Sequence, residues 1–97
     1  RQRQMCIRDS LMGFPNPFRR ATTIRFELPL ASRTDLRVYD AGGRLVRTLV
    51  HDRLREGRHA AAWDGRDGKG RPAAAGVYFV RLRSERIHRW TKVMLVK

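Results

Sequence analysis

Cysteine is nearly absent from this chain: Cys6 is the only one. A single thiol closes no internal disulfide and offers no Cys pair to zinc, which excludes a disulfide-stapled scaffold and a Cys-based metal site. Long apolar runs are missing too, and none approaches the ~20 residues with which a helix crosses a bilayer. No stretch keeps a helical period, so an amphipathic membrane-surface helix is not expected either. Acidic residues are few, nine against twenty-two basic ones, for a formal charge of +13. Among the basic residues lysine is scarce: only Lys69, Lys92 and Lys97, the rest being arginine. Surfaces built to contact phosphate commonly use both types. Arginine in such excess beside alanine and glycine reads instead as the imprint of a GC-rich coding sequence.

What remains fits one small domain. Ninety-seven residues suffice for a single core. A domain of this size buries only a little over ~60% of its unfolded surface, which leaves no room for a core and a deep substrate cleft. Residues 1–10, RQRQMCIRDS, differ from the rest, with neither strand alternation nor a helical stripe. They lack the apolar stretch of a secretion signal. The string resembles a translated sequencing-library adapter, with an unstructured natural linker as the alternative. Setting it aside removes Arg1, Arg3, Arg8 and Asp9 and lowers the formal charge from +13 to +11. Residues 11–21 are expected to be a linker and the entry to the first strand, and residues 22–97 the domain proper.

From Thr22 the pattern turns to that of strands. Ile24, Phe26 and Leu28 alternate with Thr23, Arg25 and Glu27, and Pro29 ends the run. Leu36 and Val38, with Asp40 as a further candidate, share one face of the next strand. Asp40-Ala41-Gly42-Gly43 forms a turn, with glycine for positive φ and the Asp side chain for the backbone ahead. Residues 44–50 return as a strand, 51–58 are expected to be a polar connection, and 59–63 are a further strand. Asp64 to Gly70 is a long turn. Residues 76–83 alternate again through Tyr78, Val80 and Leu82, and after a turn at 84–86 the last strand runs over 87–96. Strands with turn signals every 8–12 residues and no helix predict an all-β, immunoglobulin-like antiparallel sandwich of about six to seven strands.

Candidate sites are weak when taken singly. Asp64 and Asp67 lie in a glycine-rich loop that invites comparison with a calcium site, but two acids flanking Arg66 fall short of the six to eight oxygens calcium takes. Asx-turn chemistry accounts for them. His51, His59 and His88 have neither the spacing nor the companions of metal ligands. Ser32 and Ser84 sit in no nucleophile elbow, and no acidic pair lies in an apolar setting that would raise a pKa. No catalytic constellation and no cofactor are expected. Trp63, at a strand end beside Asp64-Gly65, reads as a core anchor, whereas Trp90 is open between core and surface. Arg81, Arg83, Arg86 and Arg89 read as a solvated face. The alternative, a basic nucleic-acid-binding stripe, would show steep salt dependence.

Taken in order, certain residues form a recognisable series. Asn16-Pro17-Phe18, Thr22 to Pro29, Val38-Tyr39-Asp40, Gly43-Arg44, His59, Trp63-Asp64-Gly65, Asp67, Gly70, Gly76-Val77-Tyr78 and the Lys92–Lys97 end are similar to the carboxy-terminal sorting domain of the type IX secretion system. The same pattern marks the related FlgD-type Ig-like module of the flagellar hook-capping protein. The family usually reads Asn-Pro-Phe-Asn-Pro, and here Arg19-Arg20 replaces the second Asn-Pro. The resemblance implies a folded label carried by a larger exported protein and read by outer-membrane secretion machinery. It also implies a sortase-like peptidase as a second partner, passage through the periplasm to the cell surface, and no cofactor. Its recognition elements map to Gly76, Tyr78, Lys92 and Lys97. The rival it leaves open is a structural or adhesive Ig-like spacer. Neither reading calls for nucleic acid or membrane insertion, and a monomer is expected.

Overall fold

The computed structural model describes residues 11–97, so the expectations for residues 1–10 lie outside the described residues. Seven strands follow one another: β1 (Leu11–Phe14), β2 (Thr22–Leu28), β3 (Ser32–Asp40), β4 (Leu45–Leu54), β5 (Gly57–Trp63), β6 (Gly76–Arg83) and β7 (His88–Leu95). They form two antiparallel sheets, β1-β2-β5 and β4-β3-β6-β7, packed as a sandwich. The fold is the expected all-β Ig-like one.

Alternation decides which side chains meet between the sheets. Ile24, Phe26 and Leu28 of β2 face Leu36 and Val38 of β3, Tyr78, Val80 and Leu82 of β6, and Val93 and Leu95 of β7, all buried. Three aromatic rings occupy one end of this core. Trp63 is fully buried, with Phe18 edge-on at 5.5 Å on one side and Tyr78 edge-on at 5.1 Å on the other. Such pairs add about 0.5–1.5 kcal/mol each beyond their buried area. The Trp63 indole N–H donates to the Arg66 carbonyl at 2.9 Å, so its polar atom is satisfied.

The β3–β4 turn has the chemistry expected of it. Asp40 Oδ1 accepts from the backbone N–H groups of Gly42 and Arg44, both at 2.9 Å, while Gly43 takes φ +88. Elsewhere strand boundaries depart from the sequence pattern. Residues 11–14, within the expected linker, form β1 against β2, with Leu11 paired to Phe26 and Gly13 to Ile24. Four residues that include a glycine are too short to show a period. β4 runs to Leu54, through part of the expected polar connection, because it pairs with β3 down to Ser32. Its alternation is scrambled by register shifts at Leu36/Arg37 and Val38/Tyr39, since each added residue turns later side chains to the other face.

Candidate functional site

β7 lies at the edge of its sheet, bonded on one side to β6. An edge strand exposes a row of unpaired N–H and C=O groups, and proteins commonly cover it. Here the cover is the Asn16-Pro17-Phe18 segment. The Asn16 side-chain amide donates to the Lys92 carbonyl and accepts from the Met94 N–H, both at 2.9 Å. A primary amide carries the same donor and acceptor as a peptide unit, so Asn16 acts as a one-residue strand. Phe18 continues the ladder with backbone groups. Its N–H donates to the Met94 carbonyl at 2.9 Å, and its carbonyl accepts from Val96 N–H at 2.9 Å. The Phe18 ring then enters the core beside Trp63, at 2% exposure. Thr22, the first residue of β2, ties the segment down through its hydroxyl, which donates to the Pro15 carbonyl at 2.8 Å. The missing second Asn-Pro leaves this arrangement intact, because Arg19 and Arg20 are exposed and lie beyond the contacts that form it.

Three of the recognition residues suggested by the resemblance lie on the same strand pair. Gly76 opposes Leu95, Tyr78 opposes Val93, and Lys92 opposes Phe79. Tyr78 is a core residue, 6% exposed, and its hydroxyl donates to the Ala74 carbonyl at 2.5 Å. Burial, reinforced by the nearby Asp40 charge, pushes its phenol above the ordinary value. Lys92 and Lys97 are exposed. Tyr39 lies on the outer face, whereas Asp40 and Arg44 belong to the β3–β4 turn, where they form an ion pair at 3.3 Å.

Asp64 and Asp67 sit in the loop after β5, and their oxygens are engaged by the protein itself. Asp64 Oδ1 accepts from the Arg66 N–H and the Arg47 guanidinium, each at 3.0 Å. Asp67 Oδ1 accepts from the N–H groups of Lys69 and Arg71, both at 2.9 Å. The Arg71 N–H leads in holding the Asp67 carboxyl below its ordinary value. These are Asx turns braced by arginine, with Gly65 and Gly70 taking positive φ. The histidines are equally local. His51 meets the Asp35 carboxylate, and His59 stacks on Phe26 at 5.4 Å. Among the described residues no group of three or more His, Cys, Asp or Glu side chains converges to hold a metal.

A chain whose opening motif binds its last strand and whose core turns on Trp63 and Tyr78 can be compared with known proteins as a whole. Residues 18–86 match the family described as the FlgD Ig-like domain. The chain belongs to that family. No curated protein matches it. Among solved structures it is similar to part of PorZ, described as an essential bacterial surface component of the type-IX secretion system of Porphyromonas gingivalis. The TM-score is 0.66 at 21% identity, over 94% of this chain and 12% of that one. It is also similar to FlgD of Xanthomonas campestris, whose structure is described as giving insights into the hook capping essential for flagellar assembly. There the TM-score is 0.62 at 21% identity, over 89% of this chain and 62% of that one. At such identity the likeness is one of fold, and the FlgD-type Ig-like domain spans less than two thirds of either structure.

Two features of the site had no local signal. Hydrogen bonds from Asn16 span 76 and 78 positions along the chain, and nothing in an Asn-Pro pair says which strand it will meet. The grouping of Tyr39, Arg81 and Trp90 on the outer face of the four-stranded sheet needs the register of β3, β6 and β7 at once.

Proposed function

We propose that this FlgD-type Ig-like domain is a sorting module. It is covalently part of a larger exported protein, has no catalytic role of its own, and is read on its way to the cell surface by outer-membrane secretion machinery, with a sortase-like peptidase as a second partner. The observation that carries the reading is the clasp of Asn16 and Phe18 on β7. The first and last parts of the series that resembles sorting domains meet in one built feature, which holds the backbone of Lys92 to Val96 in one conformation and leaves the Lys92 and Lys97 side chains exposed. Rigid presentation of a short charged segment suits recognition by a receptor, since little ordering entropy is then lost on binding. Similarity to part of a surface component of the type-IX system supports the same direction. The roles of Gly76 and Tyr78 in this reading are indirect, as they shape the β6 side of the pair.

The rival is a structural Ig-like spacer, favoured by the family match and by the likeness to the hook-capping protein. A reporter fused ahead of residues 11–97 and expressed in a host with type IX machinery separates the two. The sorting reading expects the reporter at the cell surface, and expects Lys92→Glu with Lys97→Glu to hold it in the periplasm while the domain stays folded. Export unaffected by the charge reversals, or no surface reporter with the unaltered domain, would leave the spacer.

A further inference from the structure

The outer face of the β4-β3-β6-β7 sheet carries a group of side chains with no part in the clasp. Register places Arg37, Arg81 and Trp90 in one row across β3, β6 and β7, with Tyr39 in the neighbouring row. The Arg81 guanidinium lies over both rings, 5.2 Å from the Tyr39 centroid and 5.8 Å from that of Trp90. Arg81 makes no ion pair among the described residues, and its Nε has no hydrogen-bond partner there. Directly across the sheet stands Arg37, a like charge that destabilises the pair. The carboxylate close enough to feel Arg81 is Asp35, and it is already engaged by His51 and, at 3.8 Å, by Arg37. Among the described residues positive charge is therefore left uncompensated beside Trp90, which is 51% exposed.

Among the described residues the same place has open backbone. The clasp occupies the edge from the Lys92 carbonyl of β7 to the N–H of Val96 just beyond it, and the first half of the strand lies outside it. In an antiparallel ladder alternate residues turn both backbone groups to the same side. With Lys92 and Met94 turned to the clasp, His88 and Trp90 turn theirs out of the same edge. Among the described residues only Arg89 Nη1, at 3.3 Å from the His88 carbonyl, reaches this stretch.

We propose that the open half of β7, together with Tyr39, Arg81 and Trp90, is a docking surface for an extended acidic segment of a partner protein, which adds as a further strand along His88–Trp90. Three features of the surface meet three of such a segment. Its backbone pairs with the open N–H and C=O groups. Every second side chain falls on the outer face beside Trp90, where a glutamate reaches the Arg81 guanidinium. Trp, Tyr and Arg are the residue types in which binding energy at protein interfaces is concentrated. A polysaccharide or a single-stranded nucleic acid would use the rings and the charge but has no strand to offer the edge. The surface uses none of the side chains assigned to sorting, so it stands or falls separately from that reading.

The test titrates the full chain against a fluorescently labelled peptide of about ten alternating Glu and Thr residues, read by anisotropy, with two N-methylated versions that block one or the other edge of the added strand. Saturable binding is expected, weakened about tenfold or more by Arg81→Gln, by Trp90→Ala and by one of the two N-methylation patterns. Failure to bind at about 1 mM peptide, or equal binding by both N-methylated peptides, overturns the proposal. So does tighter binding of polygalacturonate or oligothymidylate that is lost in the same variants, since the surface would then serve a glycan or a nucleic acid. Should either variant fail to fold, the N-methylated peptides decide on the unaltered chain.

Discussion

Gly13 of β1 and Val93 of β7 approach so closely across the sandwich that a methyl group on Gly13 would stand 2.7 Å from Val93 Cγ1 and 3.1 Å from Ile24 Cδ1. Ile24 and Val93 are both fully buried, so these neighbours cannot swing into solvent. Gly13→Ala is expected to destabilise the domain by ~1–3 kcal/mol through overpacking. Adding Val93→Ala, which removes the colliding methyl group, should restore part of that loss. Urea midpoints of the two single variants and the double variant check this, and a simple sum of the single effects would rule out the contact as the cause.

The clasp makes a separate prediction. Asn16→Ala removes both side-chain hydrogen bonds to β7, and since the freed groups are solvent-exposed the loss should be about 1–2 kcal/mol. Asn16→Asp keeps the acceptor for the Met94 N–H and loses the donor for the Lys92 carbonyl, so it should fall between. Uncovering the edge also provides a site for a second copy. Sedimentation equilibrium should therefore show more self-association for Asn16→Ala than for the unaltered chain.

Trp63 is the largest fully buried side chain and touches both Phe18 and Tyr78. Trp63→Ala should cost ~3–5 kcal/mol, enough to unfold a domain of this size under ordinary conditions. Trp63→Phe should retain the fold but lose the bond to the Arg66 carbonyl. Near-ultraviolet circular dichroism should lose its aromatic signal in the first case and retain most of it in the second.

Stability should fall with acid. The Asp40 carboxyl is held below the ordinary value of 3.8 chiefly by the Arg44 N–H, and Asp67 chiefly by the Arg71 N–H. Asp35 is lowered first by its hydrogen bond with His51. A group lowered in the folded state stabilises the fold above its unfolded value and loses that contribution as pH falls through the folded one. The urea midpoint should decline below about pH 4, and less so in an Asp40→Asn, Asp67→Asn double variant. At the other extreme Tyr78, raised by burial, lends stability that fades as pH climbs past its ordinary value of 10.0.

Much of this fold is legible in short stretches of sequence. Ile24, Phe26 and Leu28 alternate cleanly because β2 is central to its sheet and one of its faces is fully buried. Asp40-Ala41-Gly42-Gly43 declares its turn because Asx chemistry and positive φ are local requirements. The placing of Trp63 in the core follows from its position at a strand end. β1 and the extent of β4 were hidden for physical reasons. Gly13 is small because of Val93, far away in sequence, and the register shifts in β3–β4 pairing break the period that marks a strand. Trp90 was ambiguous because its fate depends on register, which sets it beside Arg81 on the outer face. Asn16-Pro17-Phe18 was visible only as a resemblance; its work on β7 appears once both ends of the domain are in place.

That bond between distant ends bears on how the domain comes to be folded. The Asn16 amide and the Phe18 backbone have no strand to bond until Lys92 through Val96 arrive, and β6, central to its own sheet, likewise waits for β7 as its second neighbour. A nascent chain is therefore expected to stay open until β7 has been made and then to close in one slow concerted step, as non-local β topologies do. Halted short of Thr91, it should show no cooperative melting at all.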